Sequence, residues 1–528
     1  MDTIIYNATI ITLDDSRPRA QALAIHQGRI AAVGSDDDVL ALAQPHTRKL
    51  NANGAALIPG LIDSHLHWEW TTRALNGLDL FNVGKDEALA RVAQAAQSLN
   101  EEDWLLGYGW SHGTWSDGSL PSAADLDAVA PRCKVYLVAR SGHAAWVNSA
   151  ALRAAGIADA PNPIGGKIVR DEQDQPTGIL LETAMRLIRP FEDNPQQMAQ
   201  LMRRTQESAL SQGLTGFHDY DNPSCMMALE IMREEGALAM RVVKQINQPW
   251  LEAALSLGIR TNYGDDWIKF GGLKLFADGA LGARTALMIQ PYEGEPHNYG
   301  VVVVPKDIMQ ALVERATLNG LSATIHAIGD QAVRDVLDVY AHARRVEAQA
   351  GIAPAQRRHR IEHVQLIHAD DAGRLAELQI IASMQPIHAT SDIELADRYW
   401  GSRSRLAYNP RVQLDQGVVC AFGSDSPVEP FNPLAGIHAA VTRQRANGWP
   451  PGGWYPEARL SIEEALRGYT SGPAYAAYAE DRLGKLAVGF YADLVALDRD
   501  PTTIPADALL DISVLGTMTD GTWRYGGL

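Results

Sequence analysis

Short hydrophobic runs recur along the middle of the chain, separated by longer stretches in which hydrophobic residues return every three or four positions. The short runs predict buried strands, and stretches such as residues 309–320 and 332–349 predict amphipathic helices. Alternating strands and helices are typical of parallel βα units. Eight runs predict strands, at residues 56–67, 214–220, 240–247, 268–279, 321–330, 359–366, 380–386 and 418–426. Because eight such strands close a (β/α)8 barrel, we expect an α/β fold of that architecture.

The two ends of the chain differ from its middle and resemble each other. Residues 1–57 and 480–528 both contain short apolar runs separated by glycine turns, a texture typical of antiparallel strands. We expect the two segments to combine into one small β-sandwich domain. Residues 58–479 then form the barrel, and the long gap between its first two strands predicts a large insertion, a lid subdomain at residues 70–210.

Tryptophan is concentrated near the start of this insertion. One interpretation is an apolar lid over the site, and the alternative is that these side chains fill the core of the inserted subdomain. Six of the twelve tryptophans belong to this group: Trp68, Trp70, Trp104, Trp110, Trp115 and Trp146.

Composition narrows the class of protein. The 528 residues carry a formal net charge of −17, which argues against nucleic acid or an anionic membrane surface as the main partner. The opening residues lack the basic region of a signal peptide, and no apolar run reaches the roughly 18 residues of a membrane helix. The three cysteines, Cys133, Cys225 and Cys420, are scattered without metal or disulfide spacing. We therefore expect a cytoplasmic protein with reduced cysteines, and a homodimer is the candidate assembly.

The first candidate for chemistry is the histidine pair in LIPGLIDSHLHWEW. Side chains alternate along a strand, so His65 and His67 point to one side while Leu66 points to the other. Two neighbouring imidazoles could share a divalent metal ion, because neutral imidazole nitrogen is a good ligand for zinc and similar ions. A pair of hydrogen-bonded core histidines is the alternative.

Four further polar residues lie at the carboxyl ends of other predicted strands. They are Lys274 on strand four, His326 on strand five, His363 on strand six and Asp425 on strand eight. Each could by itself be an ordinary salt-bridge or core residue. Together they occupy the face of a barrel where catalytic groups gather, which favours a shared site.

The order HxH, Lys, His, His, Asp along strands one, four, five, six and eight resembles the amidohydrolase superfamily. Longer phrases resemble the branch that contains N-substituted formamide deformylase, among them GLIDSHLH, GLKLFADGALGART, TIHAIGDQAV, RIEHVQL and FGSDSPVEPFNPLAGIHAAV. The likeness spans almost the whole chain, including the ending GKLAVGFYADLVALD. It implies a divalent-metal-dependent hydrolase that cleaves a carbon–nitrogen bond of the amide or formamide type.

The resemblance also implies a ligand set for one or two ions. His65 and His67 would hold the first ion with help from Asp425, and His326 and His363 would hold a second. Imidazole pairs with anionic ligands suit borderline ions, so zinc is the expected metal.

Lys274 fits this set only if it loses its positive charge. In related enzymes with two metals, a lysine at this position is carboxylated to a carbamate that bridges the ions. Burial beside cations would lower the pKa of Lys274, so that the neutral amine could capture carbon dioxide. The alternative is an unmodified Lys274 beside a single ion, with Asp278 taking some ligand role.

The expected reaction is hydrolysis by a metal-bound hydroxide. Deaminases of the superfamily carry glutamate three residues after the strand-five histidine. Here the third residue after His326 is Gly329, so deamination is disfavoured. The hydroxide would attack the carbonyl of a small-molecule amide, with Asp425 passing the proton to the departing nitrogen. His143, in SGHAAWVNSAAL, is a second catalytic candidate that would face the substrate.

Two other functions stay open. The same metal hydroxide could hydrolyse a lactone or a phosphoester, because the ligands serve these reactions equally and specificity depends on loops. A non-catalytic scaffold is the third class. It is disfavoured because all six candidate ligand positions are filled in this chain.

Overall fold

The computed structural model describes residues 1–112, 115, 120–140, 142, 144–163, 165–188 and 194–528. The chain divides into two compact units. The first unit comprises Met1–His67, Gln206–Met226 and Arg233–Leu528, and the second comprises Trp68–Thr205 with Met227–Met232.

The amino-terminal segment consists of seven short strands and one short helix. Most apolar residues of these strands are buried, and Ser35 caps the helix by accepting a hydrogen bond from the Asp38 amide. The elements are β1 (Thr3–Tyr6), β2 (Thr9–Ile11), β3 (Arg19–Ala20), β4 (Ala22–His26), β5 (Arg29–Gly34), α1 (Asp36–Leu40), β6 (Arg48–Asn51) and β7 (Ala56–Pro59).

After the first barrel strand, β8 (Leu61–Leu66), the chain enters the second unit. This unit contains a six-stranded sheet in the order β13-β14-β12-β11-β10-β9. Its elements are α2 (Trp68–Leu75), β9 (Leu78–Asp79), α3 (Lys85–Ala96), β10 (Trp104–Trp110), α4 (Ala123–Val129), β11 (Lys134–Ala139), β12 (Ala144–Val147), α5 (Ser149–Ala154), β13 (Gly166–Arg170), β14 (Pro176–Glu182) and a 3-10 helix at Thr183–Leu187.

Three of the clustered tryptophans form the core of this second unit. The rings of Trp110, Trp115 and Trp146 have centroids 5.9–6.1 Å apart. Each buried indole N–H donates to a backbone carbonyl, for example that of Trp146 to Ser122 at 2.7 Å. These three residues therefore match the interpretation as core residues of the inserted subdomain.

The barrel consists of eight parallel strands that pair in chain order, as the sequence predicts. Its elements after the insertion are α6 (Pro195–Ser211), β15 (Leu214–Asp219), α7 (Pro223–Glu234), β16 (Arg241–Asn247), α8 (Leu251–Ser256), β17 (Ile268–Phe276), α9 (Lys306–Leu318), β18 (Ala323–Ala327), α10 (Asp330–Gln349), β19 (Arg360–His363), α11 (Arg374–Glu377), β20 (Ile381–Met384), α12 (Pro386–Ser391), α13 (Ile393–Trp400), α14 (Pro410–Leu414), β21 (Cys420–Phe422), α15 (Pro433–Thr442), α16 (Ile462–Gly468) and α17 (Ser471–Ala476). Short 3-10 helices lie at Gln248–Trp250, Pro354–Gln356, Ala369–Asp371, Gly401–Leu406 and Pro456–Ala458.

The carboxyl-terminal segment adds a 3-10 helix at Ala506–Asp511 and the strands β22 (Leu494–Leu497), β23 (Val514–Thr519) and β24 (Thr522–Gly526). These strands join the amino-terminal ones in a six-stranded sheet of order β24-β23-β22-β7-β2-β3. A second sheet has the order β5-β4-β1-β6. Residues of both sheets, such as Leu23, Leu57 and Leu494, share one hydrophobic core. The two chain ends thus build one small sandwich.

The predicted first barrel strand is two strands in the structure. β7 belongs to the small sheet with β2 and β22, whereas β8 pairs with β15 in the barrel. At the crossing, a Cβ on Gly60 would lie 2.3 Å from Thr215 Oγ1, so the close approach requires glycine. The expectation of one strand over residues 56–67 is wrong because both halves are buried, and the hydrophobic pattern does not mark the change of sheet.

The barrel closes between β8 and β21 through hydrogen bonds beyond the strand ends. The Asp425 amide donates to the His65 carbonyl at 2.7 Å, and the His67 amide donates to the Ser426 carbonyl at 2.8 Å. The buried Asp63 carboxylate accepts from the amide of Ser424 at 3.1 Å and from its hydroxyl at 2.6 Å. It also accepts from the His65 amide at 3.0 Å. This side chain therefore joins the first and last strands of the barrel.

Among the described residues, no helix combines the length and hydrophobicity needed to cross a bilayer. All three cysteines are buried and unbridged.

Asp63→Ala should destabilise the protein. The change leaves the buried donors of His65 and Ser424 without an acceptor, and each such donor costs about 1–3 kcal/mol. We expect the Tm to fall by roughly 5 °C or more in thermal unfolding followed by circular dichroism. Asp63→Asn, which keeps one acceptor oxygen, is the matched control and should lose less. An alanine variant that melts with the wild type would contradict this role.

Candidate metal centre

Besides a group of Asp219, Asp221 and Cys225, the polar side chains at the carboxyl ends of the barrel strands form two groups that could hold a metal ion among the described residues. One group is His65, His67 and Asp425, and the other is His363, His388 and Asp425. Within each group, one potential ligand atom from each residue lies within 4.8 Å of the others. Asp425 belongs to both groups.

The first group has the spacing of a tetrahedral ligand set. Asp425 Oδ1 lies 3.4 Å from His65 Nε2 and 3.6 Å from His67 Nε2. Two ligand atoms that are each roughly 2.1 Å from a tetrahedral ion are about 3.4 Å apart. These three atoms therefore fit around an ion such as zinc, and the donor set of two imidazoles and one carboxylate suits it.

The other ring nitrogens of the two histidines are held by carboxylates. His65 Nδ1 lies 2.6 Å from Glu362 Oε2, and His67 Nδ1 lies 3.1 Å from Asp221 Oδ1. A carboxylate on Nδ1 fixes the tautomer in which Nε2 presents a lone pair, the arrangement common to metal-bound histidines. The His65 ring also stacks on Tyr220, with centroids 3.7 Å apart. Both Nε2 atoms are thus oriented towards Asp425.

The electrostatic surroundings of the two imidazoles differ. Burial holds the pKa of His65 well below its ordinary value, because the charged form is poorly solvated there. Burial also disfavours the charged form of His67, but the hydrogen bond and charge of Asp221 outweigh it and raise the pKa of His67. A metal ion binds the neutral imidazole. At a pH low enough to protonate His67, an ion would therefore have to displace that proton, and metal affinity would fall.

Glu362 is the centre of a buried polar network below the first group. Its Oε1 accepts hydrogen bonds from Arg360, Thr324 and Tyr220, the last at 2.8 Å. Although burial favours the neutral acid, the charge of Arg360 and the hydrogen bond from His65 hold the pKa of Glu362 well below its ordinary value. Glu362 therefore presents an anionic oxygen to His65.

The second group contains a histidine that the sequence analysis missed. His388 lies on α12, directly after the seventh barrel strand, and its Nε2 is 3.9 Å from Asp425 Oδ2. His363 ends β19, and its Nδ1 lies 2.8 Å from Gln385 Oε1. The position of His388 after a predicted strand was a signal available in the sequence. It was overlooked because its neighbours in PIHATS include no other candidate ligand.

Lys274 is buried inside the barrel, and burial disfavours its charged form. Its Nζ lies 4.7 Å from the centre of the Tyr220 ring and 4.5 Å from that of Phe276. Burial lowers the pKa of Lys274 to about 8, against the opposing charges of Glu362 and Asp425. The neutral amine that carboxylation requires is therefore accessible near neutral pH, and the carbamate itself stays a prediction.

His326 belongs to neither of the two groups among the described residues. Its Nε2 lies 2.9 Å from the Gly279 carbonyl, which can only accept, so this nitrogen carries the hydrogen. The ring lies 4.6 Å from that of His363. Ligation by His326 would therefore use Nδ1, and it stays a prediction. Asp278 accepts hydrogen bonds from the amides of Leu287, Ile328 and Gly329, so its carboxylate positions the backbone around this site.

Two of the candidate ligands occupy a backbone conformation that is unusual for their residue type. His363 has φ +77° and Asp425 has φ +59°. Left-handed backbone at residues other than glycine is uncommon and costs of order 1–3 kcal/mol, and it clusters at functional sites. His363 is the last residue of β19 and Asp425 follows the end of β21, so both lie where the chain leaves a barrel strand. His143, the other catalytic candidate, lies outside the described residues.

Comparisons with known proteins agree over the full chain. The model of the amidohydrolase family matches residues 49–525. Protein LONG AFTER FAR-RED 3 of Arabidopsis thaliana is 34% identical, covering 99% of this chain and 91% of its own length. N-substituted formamide deformylase of Arthrobacter pascens is 29% identical, covering 99% and 98%. The crystal structure of an uncharacterised metal-dependent hydrolase from Pyrococcus furiosus is 30% identical with a TM-score of 0.77, covering 95% of this chain and 100% of that one.

Glu362→Gln should weaken metal binding without unfolding the barrel. Glutamine keeps the shape but removes the anionic acceptor on His65, and loss of such a partner typically costs 10- to 100-fold in metal affinity. The measurement is zinc affinity by competition with a chromogenic chelator.

Glu347→Gln is the matched control for this change. Glu347 is equally buried, and its Oε1 lies 2.7 Å from Nε2 of another buried histidine, His359. Neither residue belongs to the two groups. The Glu347→Gln change should leave zinc affinity unchanged. Equal losses in both variants would show that Glu362 acts only through general stability.

Proposed function

The chain belongs to the amidohydrolase family and is a metal-dependent hydrolase, and from this premise we propose that it cleaves a carbon–nitrogen bond in a small-molecule amide. N-substituted formamides are the proposed substrate class. The observation that carries the proposal is the His65–His67–Asp425 group, with its tetrahedral spacing and oriented imidazoles. The similarity to N-substituted formamide deformylase over 99% of this chain supports the choice of bond.

We propose zinc as the ion and His65, His67 and Asp425 as its ligands. When bound, the ion supplies Lewis-acid chemistry, which generates a nucleophile from water near neutral pH and polarises the scissile carbonyl. The protein contributes neutral imidazoles, since burial keeps the pKa of His65 low. It also contributes the carboxylates of Glu362 and Asp221, which hold both rings in the required tautomer.

Asp425 is the proposed general base and acid. Its side chain is 13% exposed, whereas His65 beside it is fully buried, so the carboxylate can meet both water and substrate. The hydrogen bond from its amide to the His65 carbonyl fixes its backbone where β8 and β21 close the barrel. An amine is a poor leaving group unless it is protonated, so amide cleavage requires a group that takes a proton and returns it to nitrogen. Asp425 performs both steps in this proposal.

Lys274 and His143 have supporting roles in this proposal. Carboxylation of Lys274 joins its neutral Nζ to the carbon of carbon dioxide and releases one proton, which leaves an anionic carbamate next to the ligand groups. The lowered pKa of Lys274, about 8, supports this chemistry. His143 is the proposed substrate-facing residue of the inserted segment.

The substrate class is tested by a panel assay of the zinc-loaded protein. The panel contains N-substituted formamides, N-acyl amino acids, lactones and phosphoesters. The proposal expects the highest kcat/KM with a formamide or another amide. A lactone or phosphoester turned over faster than every amide would overturn the substrate assignment and leave the metal-dependent hydrolase in place.

Asp425→Asn should reduce turnover more than substrate binding. Asparagine keeps the shape and one oxygen but cannot take up the proton, so kcat should fall by roughly 10² or more with a small change in KM. Metal content should fall less than in His65→Ala.

Asp371→Asn, a change of another buried aspartate that pairs with Arg334, is the control and should keep the wild-type kcat. Wild-type turnover with full metal in Asp425→Asn would make Asp425 a purely structural carboxylate. Another group, with His143 the first candidate, would then move the proton.

A further inference from the structure

An uncharged, largely apolar segment between β17 and α9 is half-exposed. Residues 298–305, with the sequence NYGVVVVP, contain no charged side chain. Val301, Val302 and Val303 are 49%, 50% and 50% exposed, and Tyr299 is 48% exposed. Large apolar side chains that are exposed together on a protein surface often mark a binding site, whereas single ones need no explanation. This segment therefore has the character of a binding surface.

Backbone hydrogen bonds attach the segment to the end of β17. The Val303 amide donates to the Ala277 carbonyl at 3.0 Å. The Val304 amide donates to the carbonyl of Phe276, the last residue of β17, at 3.2 Å. The exposed valines therefore follow the backbone next to Phe276 at the carboxyl end of a barrel strand.

Phe276 connects these valines to the candidate metal centre. Side chains alternate along a strand, so Phe276 and Lys274 point to the same face of β17. The centre of the Phe276 ring lies 4.5 Å from Lys274 Nζ and 5.2 Å from the centre of the His326 ring. Phe276 is nevertheless 40% exposed. It thus contacts two residues of the site and still offers apolar surface to another molecule.

We propose that Phe276, Val302 and Val303 bind an apolar substituent of the substrate, so that the protein prefers amides that carry an alkyl or aryl group. The inference rests on the proposed function and deepens it, because it names the part of the substrate that determines selectivity. A group attached to the scissile amide is the occupant that the contacts of Phe276 with Lys274 and His326 indicate, since these contacts make the surface continuous with the site.

The chemistry of these side chains selects against polar substituents. An apolar group gains free energy in proportion to the area that it removes from water. A charged or hydroxylated group would lose hydrogen bonds to water, and the side chains of phenylalanine and valine supply no replacement. The segment 298–305 also brings no charge that could pair with an ionic substituent.

Hydrogen bonds and core packing hold the surrounding loop in place. The Asp278 carboxylate accepts from the Leu287 amide at 2.8 Å, and the Ala277 amide donates to the His326 carbonyl at 2.9 Å. Met288, on the same loop, is buried in a hydrophobic cluster. A surface that is already ordered loses little conformational entropy when a ligand binds, which favours selective binding.

The test compares two formamides on the zinc-loaded, full-length protein. One is N-hexylformamide, and in the other a hydroxyethoxyethyl chain of the same length replaces the hexyl chain. The wild type should favour the hexyl compound in kcat/KM by roughly 10-fold or more, the scale on which apolar pockets discriminate. Phe276→Ala should remove most of this preference, and Phe276→Leu should retain more of it. If Phe276 only covered Lys274, both substrates would slow equally, and an unchanged ratio in Phe276→Ala would refute the inference.

Tyr263→Ala is the matched control for the aromatic change. Tyr263 is 61% exposed, and its carbonyl accepts from the Phe270 amide at 2.8 Å, near the opposite end of β17. This variant should keep the wild-type preference. Val303→Asp is the second variant if Phe276→Ala does not fold, because the exposed side chain can change while the backbone hydrogen bond stays. It should lower the preference by roughly 10-fold. Val488→Asp, at a valine that is 65% exposed in the carboxyl-terminal segment, should leave it unchanged.

The outcomes separate this inference from the proposed function. A wild type that cleaves both formamides with similar kcat/KM overturns the inference and leaves the proposed function intact. If neither is cleaved, calorimetric titration of the same protein compares their Kd values. Tighter binding of the hexyl compound that is lost in Phe276→Ala would then support the inference and overturn the substrate assignment, and equal Kd values would overturn both.

Gel filtration of Val303→Asp tests the competing occupant, a second copy of the chain. A variant that changes its oligomeric state and keeps the wild-type preference for the hexyl compound would assign the segment to a contact between copies. That result would overturn the inference.

Discussion

Closure of the barrel between β8 and β21 is the constraint on which the site depends. The ligand pair His65 and His67 comes from the first strand, and Asp425 follows the last strand. These segments are joined by the backbone hydrogen bonds of His65 and His67 and by the carboxylate of Asp63. Because the proposed ligands lie on opposite sides of one seam, they meet only when the first and eighth strands pair. Assembly of the site therefore requires closure of the barrel.

The barrel interior next to the site contains the buried charged residues Arg360 and Glu362, at a position where most barrels of this type contain layers of aliphatic side chains. Arg360 donates to Glu362, to the Ser64 carbonyl at 2.6 Å and to Ser383 at 3.1 Å, and it also contacts His218 Nδ1 at 2.9 Å. Such a buried network contributes little net stability unless every partner is satisfied. Its value here is geometric. An anionic Glu362 fixed from several sides gives His65 one ring orientation, and the imidazole then faces Asp425.

Much of the fold and part of the site could be predicted from the sequence, and the physical reason differs between the two. Barrel strands buried on both faces produce continuous apolar runs, so all eight were found. The change from the small sheet to the barrel at Gly60 was not predicted, because the residues on both sides of it are buried. Only the close contact between Gly60 and Thr215, seen in the structure, marks the position. The HxH pair was visible because strand geometry places both side chains on one face. His388 was not, because it lies on a short helix and its relation to Asp425 depends on how the chain turns after β20. The surroundings that lower the pKa of Lys274 likewise depend on residues far apart in the chain.

Anomalous diffraction at the zinc absorption edge, from crystals of the zinc-loaded protein, would locate the ion directly. We predict an anomalous peak at roughly 2.1 Å from His65 Nε2, His67 Nε2 and Asp425 Oδ1, the distance of zinc from nitrogen and oxygen ligands. Zinc-loaded crystals with no anomalous density between these three side chains would contradict it.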